Sequence, residues 1–214
     1  MELFRPYAEA GRKIVCFSIS AGMSTSGNVM RLAAEELGAS DRIKVIDSAN
    51  LSTGIGLLVV EAAIMAKNNR TASQIVSEIE RLKPNVRASF VVDTLTYLYR
   101  GGRCNAVAAM AGGVLKLHPR IVVENGVMNA SKKYRGKINS VIMDYVKDME
   151  KDLKNARPER VFITHSGCKQ ETVEKVRAYL EELDVFDEIL ETRAGGVISS
   201  HCGPGTLGVL YIAK

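Results

Sequence analysis

The chain is predicted to form an α/β fold in two domains, and three features of the sequence indicate it. Strand-like apolar runs alternate with helical patterns along the 214 residues, which is typical of α/β units. Pro84 and Asn85 interrupt this alternation, so we expect an N-terminal domain over residues 1–87 and a C-terminal domain over residues 88–214. An Asn125-Gly126 pair between two apolar runs predicts a hairpin, which would make the second sheet mixed.

The N-terminal domain is predicted to be a parallel α/β/α unit with only two clear strands, over residues 13–19 and 42–47. A helix follows each strand, because apolar residues then recur at helical spacing. A third helix begins at a Thr71–Gln74 capping box. The predicted apolar positions of these helices are Val29, Leu32, Ala33 and Leu37 in the first, Ile55, Leu58, Val59, Ala62 and Ala66 in the second, and Ile75, Ile79 and Leu82 in the third.

The C-terminal domain is predicted to be a mixed-sheet α/β unit that begins with a strand over residues 88–93. Four helices are expected: a short one at Leu95 and Leu98, an Ala-rich one over 106–115, a long amphipathic one over 138–153 and one over 172–183. Further strands are predicted over residues 119–123, 127–132, 160–165, 185–192, 196–199 and 207–213.

Composition and charge exclude several classes of protein. The longest apolar runs are far below the roughly 18 residues of a membrane helix, and the first residues lack the pattern of a signal peptide. We therefore expect a cytoplasmic protein with no integral membrane segment. The net charge of +5 comes from dispersed basic residues without a nucleic-acid-binding module, so we expect no nucleic acid partner. A small anionic ligand or an acidic partner fits this charge as well.

The cysteines and histidines do not predict a metal site. The four cysteines include no CxxC pair, and His201-Cys202 together with His165 and Cys168 lacks the usual ligand spacing. A nucleophile made of Cys202 and His201 is also disfavoured, since no orienting Asn or Asp is evident. We expect reduced thiols, no metal, no catalytic residue and no cofactor.

Two loops are candidates for binding an anion. Residues 20–27 form a small-residue loop between a strand and a helix, an arrangement that aims N–H groups and hydroxyls at an anion. This loop is neither a P-loop nor a GxGxxG motif, and a well-capped turn is the alternative. In His201-Cys202-Gly203-Pro204-Gly205, a tight turn would present one imidazole at a sheet end. The alternative is a strand connection with an incidental histidine.

Five segments in a fixed order resemble one family. They are Ser20-Ala21-Gly22-Met23-Ser24, Asp93-Thr94-Leu95-Thr96-Tyr97-Leu98, Arg100-Gly101-Gly102-Arg103, Lys116-Leu117-His118-Pro119 and the loop at His201. Together they closely resemble the DegV family of bacterial fatty-acid-binding proteins, over nearly the whole chain from about Lys13 to Lys214.

The resemblance implies a two-domain DegV-like fold that holds one long-chain fatty acid between the domains. The acyl chain would lie in an apolar tunnel of the C-terminal domain. The carboxylate would meet hydroxyls of the N-terminal domain and the histidine of the His201 loop. Characterised relatives present the fatty acid to a separate fatty-acid kinase, which makes the acyl phosphate, so the resemblance implies a lipid-binding carrier subunit and not an enzyme.

The resemblance also assigns residues. The ligand-binding set is Ser20, Ala21, Gly22, Ser24, Arg103, His201 and Gly203, and Arg135 would face the kinase. Ala21 stands where the family has a second serine, which removes one hydroxyl. The N–H groups of Gly22 and Met23 are further candidate donors.

Each of these assignments has a plainer alternative. Arg103 could form a structural ion pair and Arg135 could be a solvated surface charge. Asp93 is expected to be a cap or a strand-end hydrogen-bonding residue. Met23 and Met110 could line the tunnel, although core packing is the commoner role of methionine.

The chain departs from the family's usual pattern at its N-terminal side. Members usually begin with an Asp-Ser strand and later carry a Thr-Ser-Gln-Pro-Ser segment that helps to hold the carboxylate. This chain starts after both, so we expect an incomplete N-terminal domain whose exposed flank is covered by a second subunit or by rearranged N-terminal residues. Two other functions stay open: a binding-deficient or regulatory protein, and a small-molecule phosphotransferase that uses the loop over residues 20–27.

Overall fold

The structure, a computed structural model, describes residues 1–103 and 117–214. These residues form two compact units, Met1–Pro84 and Asn85–Lys214. Each unit combines helices with a β-sheet, so the predicted α/β class is confirmed. The Ala-rich helix expected over residues 106–115, and with it Met110, lies outside the described residues.

The N-terminal unit contains a parallel sheet of two strands, as predicted. Ser18 at the end of one strand lies opposite Asp47 at the end of the other. Parallel pairing brings the carboxyl ends of both strands, and the loops that follow them, to one edge of the sheet. The elements are α1 (Arg5–Glu9), β1 (Ile14–Ser18), α2 (Ser26–Glu36), β2 (Ile43–Asp47), α3 (Ser52–Lys67) and α4 (Ala72–Leu82).

Helix α4 begins at the predicted capping box. The Thr71 hydroxyl accepts a hydrogen bond from the Gln74 N–H at 3.3 Å, and the Gln74 side chain accepts one from the Thr71 N–H at 2.9 Å. Both groups would otherwise be unpaired at a helix start. The three apolar positions expected for this helix, Ile75, Ile79 and Leu82, are buried as predicted.

The apolar stripe predicted for α2 is wrong in part. Val29 and Leu32 are 63% and 62% exposed, whereas Gly27 and Ala34 are buried. The reason is a close approach between α2 and β1, since a Cβ at Gly27 would lie 2.7 Å from the Ser18 hydroxyl. The helix therefore packs on the strand through its small residues and leaves two large apolar side chains in solvent. The stripe predicted for α3 is also incomplete, because Val59 is 42% exposed.

In the residues that the structure describes, the C-terminal unit contains a mixed sheet of six strands in the order β5-β4-β3-β8-β6-β7, in which only β6 and β7 pair in parallel. The hairpin predicted at Asn125 and Gly126 is confirmed, and both residues have the positive φ of a type I′ turn. The elements are a 3₁₀ turn (Lys83–Asn85), β3 (Val86–Val91), α5 (Thr96–Gly101), β4 (Leu117–Glu124), β5 (Val127–Arg135), α6 (Ile138–Asp148), α7 (Glu150–Lys154), β6 (Ala156–Ser166), α8 (Gln170–Glu182), β7 (Ile189–Arg193), α9 (Gly196–Cys202) and β8 (Thr206–Ala213).

Two predicted elements of this unit are corrected by the structure. The strand expected over residues 196–199 is the start of helix α9, where the Ser199 N–H donates to the Gly195 carbonyl at 2.9 Å. The long helix expected over residues 138–153 ends at Asp148 and starts again at Glu150. Between them the buried Met149 forms a tighter turn, in which its N–H donates to Val146 three residues earlier.

Tyr145 joins α6 to the centre of the sheet. Its buried hydroxyl donates to the Ser89 carbonyl at 2.8 Å and accepts from the Val209 N–H at 3.1 Å. Burial raises the pKa of this phenol above its usual value. The polar atom is thus fully used inside an apolar core, which fixes α6 over β3 and β8. Among the helices of the described residues, none is both long and apolar enough to cross a membrane.

Candidate functional site

The first candidate loop is a turn at the end of β1, built around the buried Ser20. The Ser20 N–H donates to Asn50, and the Ser20 carbonyl accepts from Met23 at 2.9 Å and from Ser24 at 3.0 Å. The Ser20 hydroxyl accepts from the Gly22 N–H at 3.2 Å. The N–H groups of Gly22 and Met23, which we expected to point at an anion, are therefore hydrogen-bonded within the turn.

The Asp47 carboxylate, which is not among the predicted site residues, lies at the same edge of the sheet as the Ser20 turn. Asp47 ends β2 and accepts from the Ala21 N–H at 3.2 Å and from the Ala49 N–H at 2.9 Å. The signal for it was available in the sequence, because the ends of two neighbouring parallel strands meet at one sheet edge. Asp47 ties the two loops together, and its negative charge disfavours a second anion at Ala21.

Ser24 keeps a donor that a ligand could use. Its hydroxyl oxygen accepts from the Ser26 N–H at 3.2 Å, at the start of α2. The hydroxyl proton meets no acceptor in the part of the chain that the structure describes. Met23, one residue earlier, is 8% exposed and packs as a core residue of the turn.

His201 lies in the last turn of α9, and not directly between two strands as the sequence predicted. Its ring is half-buried and packs against Gly101 at the end of α5, where an added Cβ would overlap Nδ1. Within residues 1–103 and 117–214, no hydrogen-bond partner is recorded for the ring nitrogens. The imidazole is thus held in place by packing, with its polar atoms available to a ligand.

The turn after His201 is fixed by its glycines. Gly203 is buried at φ 79°, and a Cβ there would overlap the ring of Tyr97. Gly205 has φ 77° and donates its N–H to Ser166 at 2.7 Å. Tyr97 was not among the predicted site residues, because a close backbone approach of this kind leaves no local pattern in the sequence.

The remaining predicted residues lie on the surface of the C-terminal unit. Arg103 is exposed and donates to the Gly101 carbonyl at 2.8 Å, next to His201. Among the described residues Arg103 forms no ion pair, so the alternative role in a structural ion pair is not found there. Arg135 is exposed at the end of β5. The Asp93 carboxylate lies 3.6 Å from Nδ1 of the buried His118 and does not cap α5.

The structure groups the predicted residues by unit. Ser20, Gly22 and Ser24 share one turn of the N-terminal unit, whereas His201 and Arg103 both contact Gly101 in the C-terminal unit. As far as the structure describes the chain, no three His, Cys, Asp or Glu side chains are placed to hold a metal ion.

The profile of the DegV family, which is described as a family of uncharacterised proteins, matches residues 1–214. This chain belongs to the DegV family. A DegV domain-containing protein of Clostridium perfringens is 33% identical over an alignment of 216 positions, which covers 99% of this chain and 74% of that relative. The recognition made from the five sequence segments is therefore confirmed.

Solved DegV structures have the same fold. A DegV family protein from Thermus thermophilus, described as binding fatty acid, is 27% identical, with a TM-score of 0.86 over all of this chain and 75% of its own length. DegV from Bacillus subtilis, described as a fatty-acid-binding protein, is 28% identical, with a TM-score of 0.79 over all of this chain and 76% of its own. The DegV-like fold that the sequence predicted is confirmed.

Proposed function

We propose that this chain binds one long-chain fatty acid. Its carboxylate would be bound by the Ser20 turn and by His201, and its acyl chain by apolar residues of the C-terminal unit. The observation that carries the proposal is the imidazole of His201, which packing fixes against Gly101 while the described residues leave its nitrogens unpaired. Membership of a family with fatty-acid-binding members supports it.

The division of labour between head group and tail follows from their chemistry. Burying a carboxylate without hydrogen bonds costs roughly several kcal/mol, so the binding site must supply donors. Ser24 and His201 offer such donors, and Arg103 adds a positive charge beside Gly101. Each buried methylene contributes about 0.8 kcal/mol, so the tail supplies affinity and the head group supplies orientation.

A second candidate, a binding-deficient or regulatory protein, is favoured by the Ser20 turn itself. The Gly22 and Met23 amides are engaged within the turn, Ala21 brings no hydroxyl, and the Asp47 carboxylate already holds the Ala21 N–H. These features leave fewer donors for a carboxylate. The phosphotransferase alternative has no such support, because the same engaged amides cannot cradle a phosphate.

Lipid extraction tests the binding proposal. Protein purified from cells is extracted with organic solvent, and the extract is analysed for fatty acids by mass spectrometry. We expect a long-chain fatty acid at about one per chain. We expect His201→Ala and Ser24→Ala each to lower its affinity by about tenfold or more, as for loss of a hydrogen bond to a charged group.

The matched control is Ser73→Ala, on the exposed face of α4, which should retain lipid like the original protein. If the extract contains no lipid, and added fatty acid does not bind, the binding-deficient alternative is correct. If both site variants keep their lipid, the head-group assignment is wrong.

We further propose that the chain is a carrier that presents the bound carboxylate to a separate fatty-acid kinase. The exposed Arg135 and Arg103 are cations that an acidic partner surface could contact. Charge reversal tests this part separately: Arg135→Glu should leave lipid retention unchanged and slow acyl phosphate formation by a kinase from the same cell. Equal rates would exclude a contact at Arg135.

We propose that a second copy of the chain pairs with the free edge of β1. In the described residues β1 pairs only with β2. Val15 and Phe17 line a groove of about 440 Å³ together with α3 side chains such as Val59. An antiparallel pairing centred on Cys16 would set Val15 of each copy opposite Phe17 of the other and continue the sheet.

Sedimentation tests this assembly. We expect a dimer that Phe17→Lys converts to a monomer, whereas Val29→Lys, on the exposed side of α2, leaves it intact. A stable monomer of the original protein would end this part of the proposal and leave the lipid site untouched.

A further inference from the structure

A polar pocket of about 630 Å³ lies in the C-terminal unit, and no residue of the proposed fatty-acid head-group site lines it. It opens beside Ser89 and Met149, on the side of the sheet that carries α6. Its charged lining consists of the cations Arg87, Arg120 and Lys214 and the carboxylates Glu124 and Asp152. A pocket of this volume can hold a small metabolite and not merely an ion.

Arg120 lies opposite a β-bulge in the hairpin. Between Pro119 and Ile121 of β4 the pairing shifts, so that two residues of β5, Ser131 and Lys132, lie opposite Arg120 alone. The Ser131 hydroxyl donates to the Arg120 carbonyl at 3.3 Å. Bulges of this kind bend the strand that carries the extra residue, here β5, and are common beside functional sites.

The guanidinium of Arg120 lies over the ring of Tyr145, 5.6 Å from the centroid. Among the described residues, its buried Nε has no hydrogen-bond partner. In the two described ranges Arg120 takes part in no ion pair. Partial burial of a cation without a counter-charge carries a desolvation cost, which an arginine exposed to water does not have.

The nearby carboxylates do not fill that role. Asp148 is engaged by the Lys132 ammonium and by the Tyr134 hydroxyl. Burial would raise the pKa of Asp148, but the hydrogen bonds from Lys132 and Tyr134 and the charges of Lys132 and Arg120 outweigh it and lower that pKa. Glu124 and Asp152 are exposed at the rim of the pocket, where water screens them.

We propose that this pocket binds the phosphate group of a small phosphate monoester, with Arg120 as the principal contact and Arg87 as the second cation. A guanidinium presents its N–H groups in a planar fork that fits phosphate oxygens, and a dianion suits a pocket that two arginines line. Val122, Met149 and Tyr211, which also line the pocket, provide apolar surface for the organic part of the ligand. This proposal does not depend on fatty-acid binding.

Amide-resolved NMR titration of the full chain tests it, with AMP and inorganic phosphate as probes. We expect saturable shifts at Ser89, Val122 and Tyr211, with AMP binding more tightly than inorganic phosphate. Arg120→Gln should weaken AMP at least about tenfold, and Arg120→Lys, which keeps the charge but loses the fork, should weaken it less. The control Arg81→Gln, on α4 of the other unit, should bind AMP unchanged.

Each other outcome overturns the proposal. These outcomes are no saturable shift with either probe, shifts only outside the pocket, or acetate binding as tightly as phosphate. If Arg120→Gln proves unfolded by circular dichroism, Arg87→Gln takes its place, and unchanged AMP affinity in that variant also overturns the proposal.

Discussion

The strands β1 and β8 lie in different units and are buried to very different degrees. In β1 only Ser18 is fully buried and the other four residues are half-buried, whereas in β8 every residue but Ala213 is buried. β8 has a hydrogen-bonded neighbour on each side, β3 and β6, whereas among the described strands β1 pairs with β2 alone. The difference teaches that the C-terminal unit holds the dense core, and that the N-terminal unit depends on short-range packing of helices on a narrow sheet.

The largest expected effect on stability comes from truncating an apolar side chain, and it should differ between the two units. Ile163→Ala, at a fully buried position of β6, should lower the free energy of unfolding by about 2–5 kcal/mol. Val15→Ala, at a half-buried position of β1, should lower it by about 1 kcal/mol or less. Denaturant unfolding measures both. Equal losses would show that β1 is as well covered as β6.

The next effect compares two glycines with positive φ. Gly203→Ala should cost about 2–4 kcal/mol, because the new methyl group adds an overlap with Tyr97 to the backbone strain. Gly38→Ala, in the N-terminal unit, has open space around it and should cost only the strain, about 1 kcal/mol. Thermal unfolding measures the pair, and similar losses would mean that Tyr97 moves aside.

A smaller effect is expected at the start of α4. Thr71→Ala removes one side of the capping box and should cost about 1 kcal/mol, whereas Ser73→Ala, two residues later, should be nearly neutral. Amide exchange within α4 reports the loss directly. If amides of β8 exchange faster to the same extent, the two units unfold together and the contrast between them is weaker than inferred.

The smallest effect concerns pH and belongs to the C-terminal unit. The pKa of Asp148 is lower in the folded chain than in the unfolded one, because the hydrogen bonds and charges around it outweigh its burial. Its stabilising contribution is therefore present above the unfolded pKa and is lost as the pH falls through the folded pKa. Asp148→Asn should flatten the acid side of the stability curve by less than about 1 kcal/mol. An unchanged acid limb in urea titrations would argue against the Lys132 and Tyr134 contacts.

The sequence predicted best where a local signal was sufficient. The Asn125-Gly126 turn, the Thr71 cap and the two parallel strands each follow from a short stretch of residues, and each is present. The five family segments likewise identified the fold before any contact was known.

Features that depend on distant parts of the chain were missed. The exposure of Val29 follows from how closely Gly27 approaches β1, and the role of Asp47 follows from strand pairing. The apolar run Gly196-Val197-Ile198 predicts a strand where helix α9 is found, because three residues are too few to show a helical period. The packing of His201 against Gly101 joins segments about a hundred residues apart, and such a contact leaves no local pattern in the sequence.

The outer strand of the larger sheet, β5, has a different consequence. Its exposed side chains include Lys132, Lys133 and Arg135. Two such strands brought side by side would set rows of positive charge against each other, and natural sheets use lysine in this way to prevent aggregation. Growth of fibrils from this border is therefore disfavoured, and the chain should tolerate crowded, concentrated conditions at that end.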